Sequence, residues 1–215
     1  MTGSGGPGTG KPALAVWVAV LLAVVATGCT GGEPPSNGPV TAERQAADDA
    51  LRSFRLDDPD ARLSIERVRF TDAGVAAAAD LLQSGATGDS LWAATYVYAS
   101  WGEDPAPLRP LLQSDDPSIR VIAAAGLVSR GDESAFDVLV ESLEHQETLA
   151  GSEPPQSIWS FAAFTLARYT GQELGPALDA DESDVSAGHD RWAAWLDQRR
   201  DGLVFDEGSG TWSAA

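Results

Sequence analysis

The sequence of 215 residues predicts an all-α domain built mainly from three helical hairpins. One observation is a triple of two small residues and a larger apolar one that recurs along the chain. It stands at Ala93, Ala94 and Val97, at Ala123, Ala124 and Leu127, and at Ala162, Ala163 and Leu166. Small residues paired on one helix face let neighbouring helices approach, and the larger side chain one turn later fills the gap. A second observation is composition. Hydrophobic residues make up 43% of the chain, enough for a packed core, while one Cys and two His exclude an internal disulfide framework and argue against a zinc site.

The first segment reads as an address. Lys11, the only lysine, precedes an apolar run from Pro12 to Thr27. The run holds about 15 apolar residues, short of the roughly 20 that span a bilayer, and has the layout of a signal peptide. Ala26, Thr27 and Gly28 then lead to Cys29. This VATGC stretch resembles the lipobox of bacterial lipoproteins, with Ala26 where Leu is usual. The resemblance implies that signal peptidase recognises Ala26, Thr27 and Gly28, cuts before Cys29, and leaves Cys29 acylated on the extracytoplasmic side of the cell membrane. Several acyl chains, at about 0.8 kcal/mol per buried CH₂, hold a soluble domain there firmly. A plain secretory signal and an uncleaved anchor are the competing readings. Loss of residues 1–28 removes Lys11 and no acid, leaving 13 Arg against 32 acidic residues, a net charge of −19. Residues 29–40 are Gly, Pro and polar residues and read as a tether.

The domain proper is expected over residues 41–200. Thr41 to Phe54 reads as an amphipathic helix with Thr41 as N-cap and Ala47, Leu51 and Phe54 on one face. Arg62 to Phe70 fits either an alternating strand, through Leu63 and Ile65, or a helix, through Leu63, Glu66, Arg67 and Phe70, and the helix is preferred. The first hairpin pairs Asp72–Gln83 with Ser90–Trp101. The second pairs Pro105–Gln113 with Pro117–Arg130, and the third pairs Glu133–His145 with Gln156–Tyr169. Pro105, Pro117 and Pro155 stand near helix starts, and Asp89, Asp116 and Asp132 are candidate N-caps. Gly151 to Gln156 reads as a loop insertion. Asp190 to Arg199, with Trp192, Trp195 and Leu196, reads as a capping helix, and residues 201–215 as an irregular tail in which Val204, Phe205 and Trp212 fold back.

The stretch LLQSDDPSIRVIAAAGLVSRGDESAFDVLVESL, Leu111 to Leu143, resembles a HEAT-like repeat. The resemblance extends over residues 71–102, 103–131 and 132–171. It implies a short right-handed α-solenoid with capping helices at both ends, each repeat touching only its neighbours. It also implies a protein-binding or scaffold role. In that family an Asp and an Arg often form a ladder between repeats. Here Asp116 and Arg120 match, while Ser90 and Trp159 stand at the equivalent places of Arg120. Related repeats occur in bilin lyases, but no motif here carries that chemistry.

Chemistry-bearing candidates are few. His145 lies near Glu141 and Glu144, and His189 precedes Asp190, both readable as surface residues. No nucleophile motif or hydrolase constellation is found, so a non-enzymatic protein without a cofactor is expected. Asp179, Asp181, Ser183 and Asp190 occupy positions 1, 3, 5 and 12 of a potential calcium loop, although Asp184 stands where a sharp turn needs Gly. Trp92, Trp101 and Trp159 lie on second helices and could line a groove or fill the core. The net charge of −18 argues strongly against nucleic acid or an anionic membrane surface as a direct ligand, since both need basic patches. The reading is a monomeric, membrane-tethered interaction module for an envelope protein or peptide. A small-ligand or calcium-binding lipoprotein is the alternative.

Overall fold

The computed structural model describes residues 42–175 and 182–214. The signal peptide, the tether, Thr41, Asp179 and Asp181 lie outside the described residues. Eight α-helices and a β-hairpin make up the described fold. They are α1 (Ala42–Ser53), α2 (Pro59–Val68), α3 (Asp72–Gln83), α4 (Gly88–Trp101), α5 (Pro117–Val128), α6 (Phe136–Glu141), α7 (Ile158–Thr170) and α8 (Glu182–Arg199), followed by β1 (Leu203–Asp206) and β2 (Thr211–Ala214).

Local chemistry sets the helix boundaries. The Asp58 carboxylate accepts from Asp60 N in front of Pro59, and Asp116 accepts from Ser118 N and Ile119 N in front of Pro117. Thr71 caps α3 through Gly74 N, and Ser157 caps α7 through Ser160 N. Gly171, with φ of +67°, ends α7 in the left-handed conformation that glycine adopts without strain. Asp132 also caps its helix, through Ser134 N. Asp89 does not. It lies inside the first turn of α4, and its carboxylate accepts from Leu56 N at 3.2 Å, which ties the α1–α2 connection to α4.

The recurring triple is buried in all three copies. Ala93, Ala94, Val97, Ala123, Ala124, Leu127, Ala162 and Leu166 are fully buried, and Ala163 is 8% exposed. These residues let α4, α5 and α7 pack side by side in that order. Gly126 marks the tightest approach, because a β-carbon there would lie 2.9 Å from the Ala99 backbone and 2.8 Å from Leu108. Arg130 closes the C-terminal end of α4 by donating to the carbonyls of Tyr98 at 3.1 Å, Ala99 at 2.9 Å and Gly102. Burial holds its pKa below the ordinary arginine value.

Outside this row, α3 packs on α4, and α1 covers α3 and α4. Arg62 to Phe70, the ambiguous segment, is largely helical within α2. At the other end α8 packs on α6 and on residues 142–144, with Trp192 fully buried. One core runs from Ala47 on α1 to Trp212 on β2.

Four expectations need correction. The helix expected over 105–113 is only a 3-10 helix over Arg109–Gln113, because Pro105, Pro107 and Pro110 leave too few N–H groups for an α-helix. The helix expected over 133–145 breaks into 3-10, α and 3-10 pieces between Glu133 and Glu144. The C-terminal helix starts at Glu182 rather than Asp190. The tail is an antiparallel hairpin in which Phe205 pairs with Trp212. Trp212 does fold back: its Nε1 donates to Val128 O at 2.9 Å, and its ring meets Phe136 edge-on. Val204 is exposed.

Candidate functional site

The candidate groove lies where α4, α5 and α7 begin, and the chain's own segment 145–157 occupies it. This segment is an ordered loop. Leu149 N donates to Gln156 O at 2.7 Å, Ile158 N to Glu147 O at 2.9 Å and Trp159 N to His145 O at 3.1 Å, while Thr148 bridges to Ser157. Leu149 is buried. The loop is fastened to two earlier helices. Ala150 N donates to Ser118 Oγ on α5 at 3.0 Å, and Glu153 pairs with Arg62 on α2 at 3.1 Å. Gly151 lies against the Trp92 indole so closely that a β-carbon would come within 2.4 Å of the ring.

Trp92 and Trp159 are therefore core residues, each 7% exposed. Trp92 stacks on Phe54, with ring centroids 5.4 Å apart, and on Tyr96, 5.2 Å apart. This column joins α1 to α4. Its last ring carries a polar cluster, in which Arg69 donates to Tyr96 Oη at 2.5 Å and Tyr96 Oη donates to Glu66 Oε1 at 3.1 Å. Arg69 Nε lies 2.8 Å from Glu66 Oε2, an ion pair made without a linear hydrogen bond. Burial is the main reason the Tyr96 phenol is pushed up to about 12.

Trp101 is not brought to this groove. It ends α4, half-buried, and tilts against Phe70 at 5.3 Å. Arg69 lies on the same Phe70 ring, its guanidinium carbon 4.3 Å from the centroid. Phe70 is 58% exposed and Leu63, on α2, is 57% exposed. The periodicity of residues 62–70 points to a helix but not to Leu63 and Phe70 facing outward while Ile65 and Val68 turn to the core.

Asp116 and Arg120 do not pair with each other. Asp116 caps its own helix, and Arg120 donates to Ser114 O at 2.7 Å, with a second contact to His145 Nε2 at 3.4 Å. His145 Nδ1 in turn meets Glu147 at 3.3 Å. The Glu147 carboxyl is held below the usual carboxylate range, first by its own backbone N–H. His189, on α8, lies 3.8 Å from Glu144 and 3.4 Å from Asp190.

Of the potential calcium loop, Asp179 and Asp181 lie outside the described residues. Residues 182–190, Ser183 and Asp190 among them, belong to α8, and a helical backbone cannot wrap oxygen ligands around one ion as that loop does. Among the described residues no three His, Cys, Asp or Glu side chains are grouped to hold a metal. A surface cleft of about 390 Å³ lies between the end of α3 and the segment before α5, lined by Leu82, Gln83, Asp104, Ala106, Pro107 and Pro110. No described helix is long and apolar enough to cross a membrane. Comparison with known protein families, curated proteins and solved structures finds no match.

Proposed function

We propose that the chain is an acylated lipoprotein whose helical domain, a short right-handed HEAT-like solenoid, serves as a protein-interaction scaffold in the cell envelope. The observation that carries the domain reading is the burial of the same small–small–large triple on α4, α5 and α7, which pack in sequence order. Repeats stacked in this way build a core mainly from contacts between neighbours, here with the loop of the third repeat also reaching Trp92 of the first, and leave outer surfaces free for a partner. The VATGC stretch ending at Cys29 supports the anchor.

The anchor is tested by mass spectrometry of the N-terminal peptide of chain purified from bacterial membranes. An acylated Cys29 is the expected product, and a Cys29→Ser chain should leave the membrane fraction. An unmodified Cys29 on the mature chain sinks the anchor. The scaffold role is tested by photo-crosslinking from exposed positions in intact cells. It predicts one reproducible protein adduct, and adducts no different from those of an unrelated lipoprotein would end it. The small-ligand alternative has an open surface cleft of about 390 Å³ beside Gln83 and Asp104 to draw on. It predicts that a ligand raises the melting temperature and that substitutions at Gln83 and Asp104 remove the effect.

A further inference from the structure

The strongest unassigned surface is the outer side of α2. Leu63, Arg67 and Phe70 are spaced by four and three residues, fall on one side of α2 and its C-cap, and are all exposed. Trp101 flanks Phe70, and Arg69 lies against the same ring. Two of the four large hydrophobic side chains exposed among the described residues are here, the others being Phe164 and Val204. Arg67 is the exposed cation of this face; Arg62 and Arg69 are turned to Glu153 and Glu66, and Asp60 and Glu66 also lie on α2.

We infer that this face is a foot on which the lipid-anchored domain rests against the membrane surface. The inference stands on the anchor proposed above. Only 12 residues separate Cys29 from Ala42, and they span at most about 45 Å even when fully extended. A domain of this length has a radius of gyration of about 15 Å, so the anchor keeps it within about one domain diameter of the headgroups. The chain enters the domain at α1, whose first turn sends Arg44 to the carbonyls of Ala73 and Ala76, close in sequence to Phe70. The acidic faces are repelled by anionic headgroups. The α2 face instead offers what the bilayer interface accepts: aromatic rings, an aliphatic side chain and one exposed arginine, Arg67, long enough to reach phosphate. Two side chains and the edge of a third fall well short of the roughly 800 Å² per partner of a stable protein interface. They suit a weak contact made continuous by tethering.

The test uses full-length acylated chain in vesicles of phosphatidylethanolamine and phosphatidylglycerol. Single cysteines are introduced by Leu63→Cys, Arg67→Cys, Phe70→Cys, Phe164→Cys and Val204→Cys and labelled with an environment-sensitive fluorophore. Acylation of Cys29 leaves no competing thiol, and Arg67→Cys reports on the foot with both apolar side chains in place. Lipids brominated near the headgroup should quench the labels at 63, 67 and 70 about twofold and leave those at 164 and 204 unchanged. Equal accessibility at all five positions, with Cys29 blocked, overturns the foot alone and leaves the face to a protein partner. A wild-type chain whose Cys29 still reacts with maleimide overturns the anchor and the foot together.

Discussion

Gly151 carries two demands at once. Its φ of +72° favours glycine, and its missing β-carbon leaves room for the Trp92 ring. The left-handed backbone costs a larger residue about 1–2 kcal/mol, and overpacking a well-filled site costs a further 1–3 kcal/mol or so. Gly151→Ala should therefore destabilise the fold by about 2–5 kcal/mol, read from the midpoint of urea unfolding at unchanged slope. Gly85 has a similar φ of +75° but open space around it, so Gly85→Ala should cost only the backbone part, about 1–2 kcal/mol. Equal losses at the two sites would mean that the loop does not press on Trp92. Tyr96 supplies a second residue-level test. Its folded pKa of about 12 lies above the ordinary value of 10.0, so between these values the unfolded chain releases a proton that the native chain keeps. Stability is then complete below pH 10 and falls as pH rises toward 12, by about 2–3 kcal/mol in all. Tyr96→Phe should remove this alkaline loss, and tyrosinate absorbance should show one phenol titrating late. A Tyr96→Phe chain with an unchanged alkaline slope would contradict the assignment.

At the scale of the helices, the contact between α4 and α5 sets two forces against each other. Replacing Gly126 with Ala gains about 1 kcal/mol of helix propensity. It also places a methyl group 2.8 Å from the Ala99 side chain and 2.9 Å from its backbone, and the backbone cannot move aside as a side-chain tip would. Overpacking of about 1–3 kcal/mol should win, so Gly126→Ala lowers the thermal midpoint although it improves the helix. A raised midpoint would show that the two helices are not in tight contact there. The same balance explains what could be read in advance. The range Asp72–Gln83 was legible because Thr71 caps it and its Ala and Leu residues keep the helical period. The cores of α5 and α7 were legible for the same reason. In the segment 105–113 the apolar spacing of Leu108, Leu111 and Leu112 suggests a helix that its three prolines prevent. The hairpin had a signal in the alternation of Thr211 to Ala214 and in the glycines at 208 and 210, but a four-residue strand is short enough to pass for tail. The fate of Trp92 and Trp159 was not legible. It depends on where residues 145–157 go, and no local pattern records that Gly151 lies on a ring 59 positions earlier.

For the whole molecule the open question is the sign of electrostatics. The described residues include ion pairs between exposed partners, such as Arg52 with Asp48 and Arg200 with Asp137. Pairs of this kind contribute about 0–1 kcal/mol each and weaken in salt. Against them stand 32 acidic residues and 14 basic ones, so most carboxylates have no cation of their own and repel one another across the surface. The screening length falls from about 30 Å at 0.01 M salt to about 8 Å at 0.15 M. Long-range repulsion over a domain of this size is therefore largely removed, while contacts near 3 Å, such as Arg62 with Glu153, keep most of their attraction. Repulsion should dominate the response. A soluble form beginning after Cys29 should melt about 3–6 °C higher in 0.15 M potassium chloride than in 0.01 M, equivalent to one or two kcal/mol at this chain length. Chloride is the suitable anion because sulfate would add a separate stabilisation by exclusion from the protein surface. A midpoint that falls with added chloride would mean that local ion pairs outweigh the acid excess. The same excess would then no longer argue that the acidic faces turn away from an anionic membrane while Arg67 of α2 turns toward it.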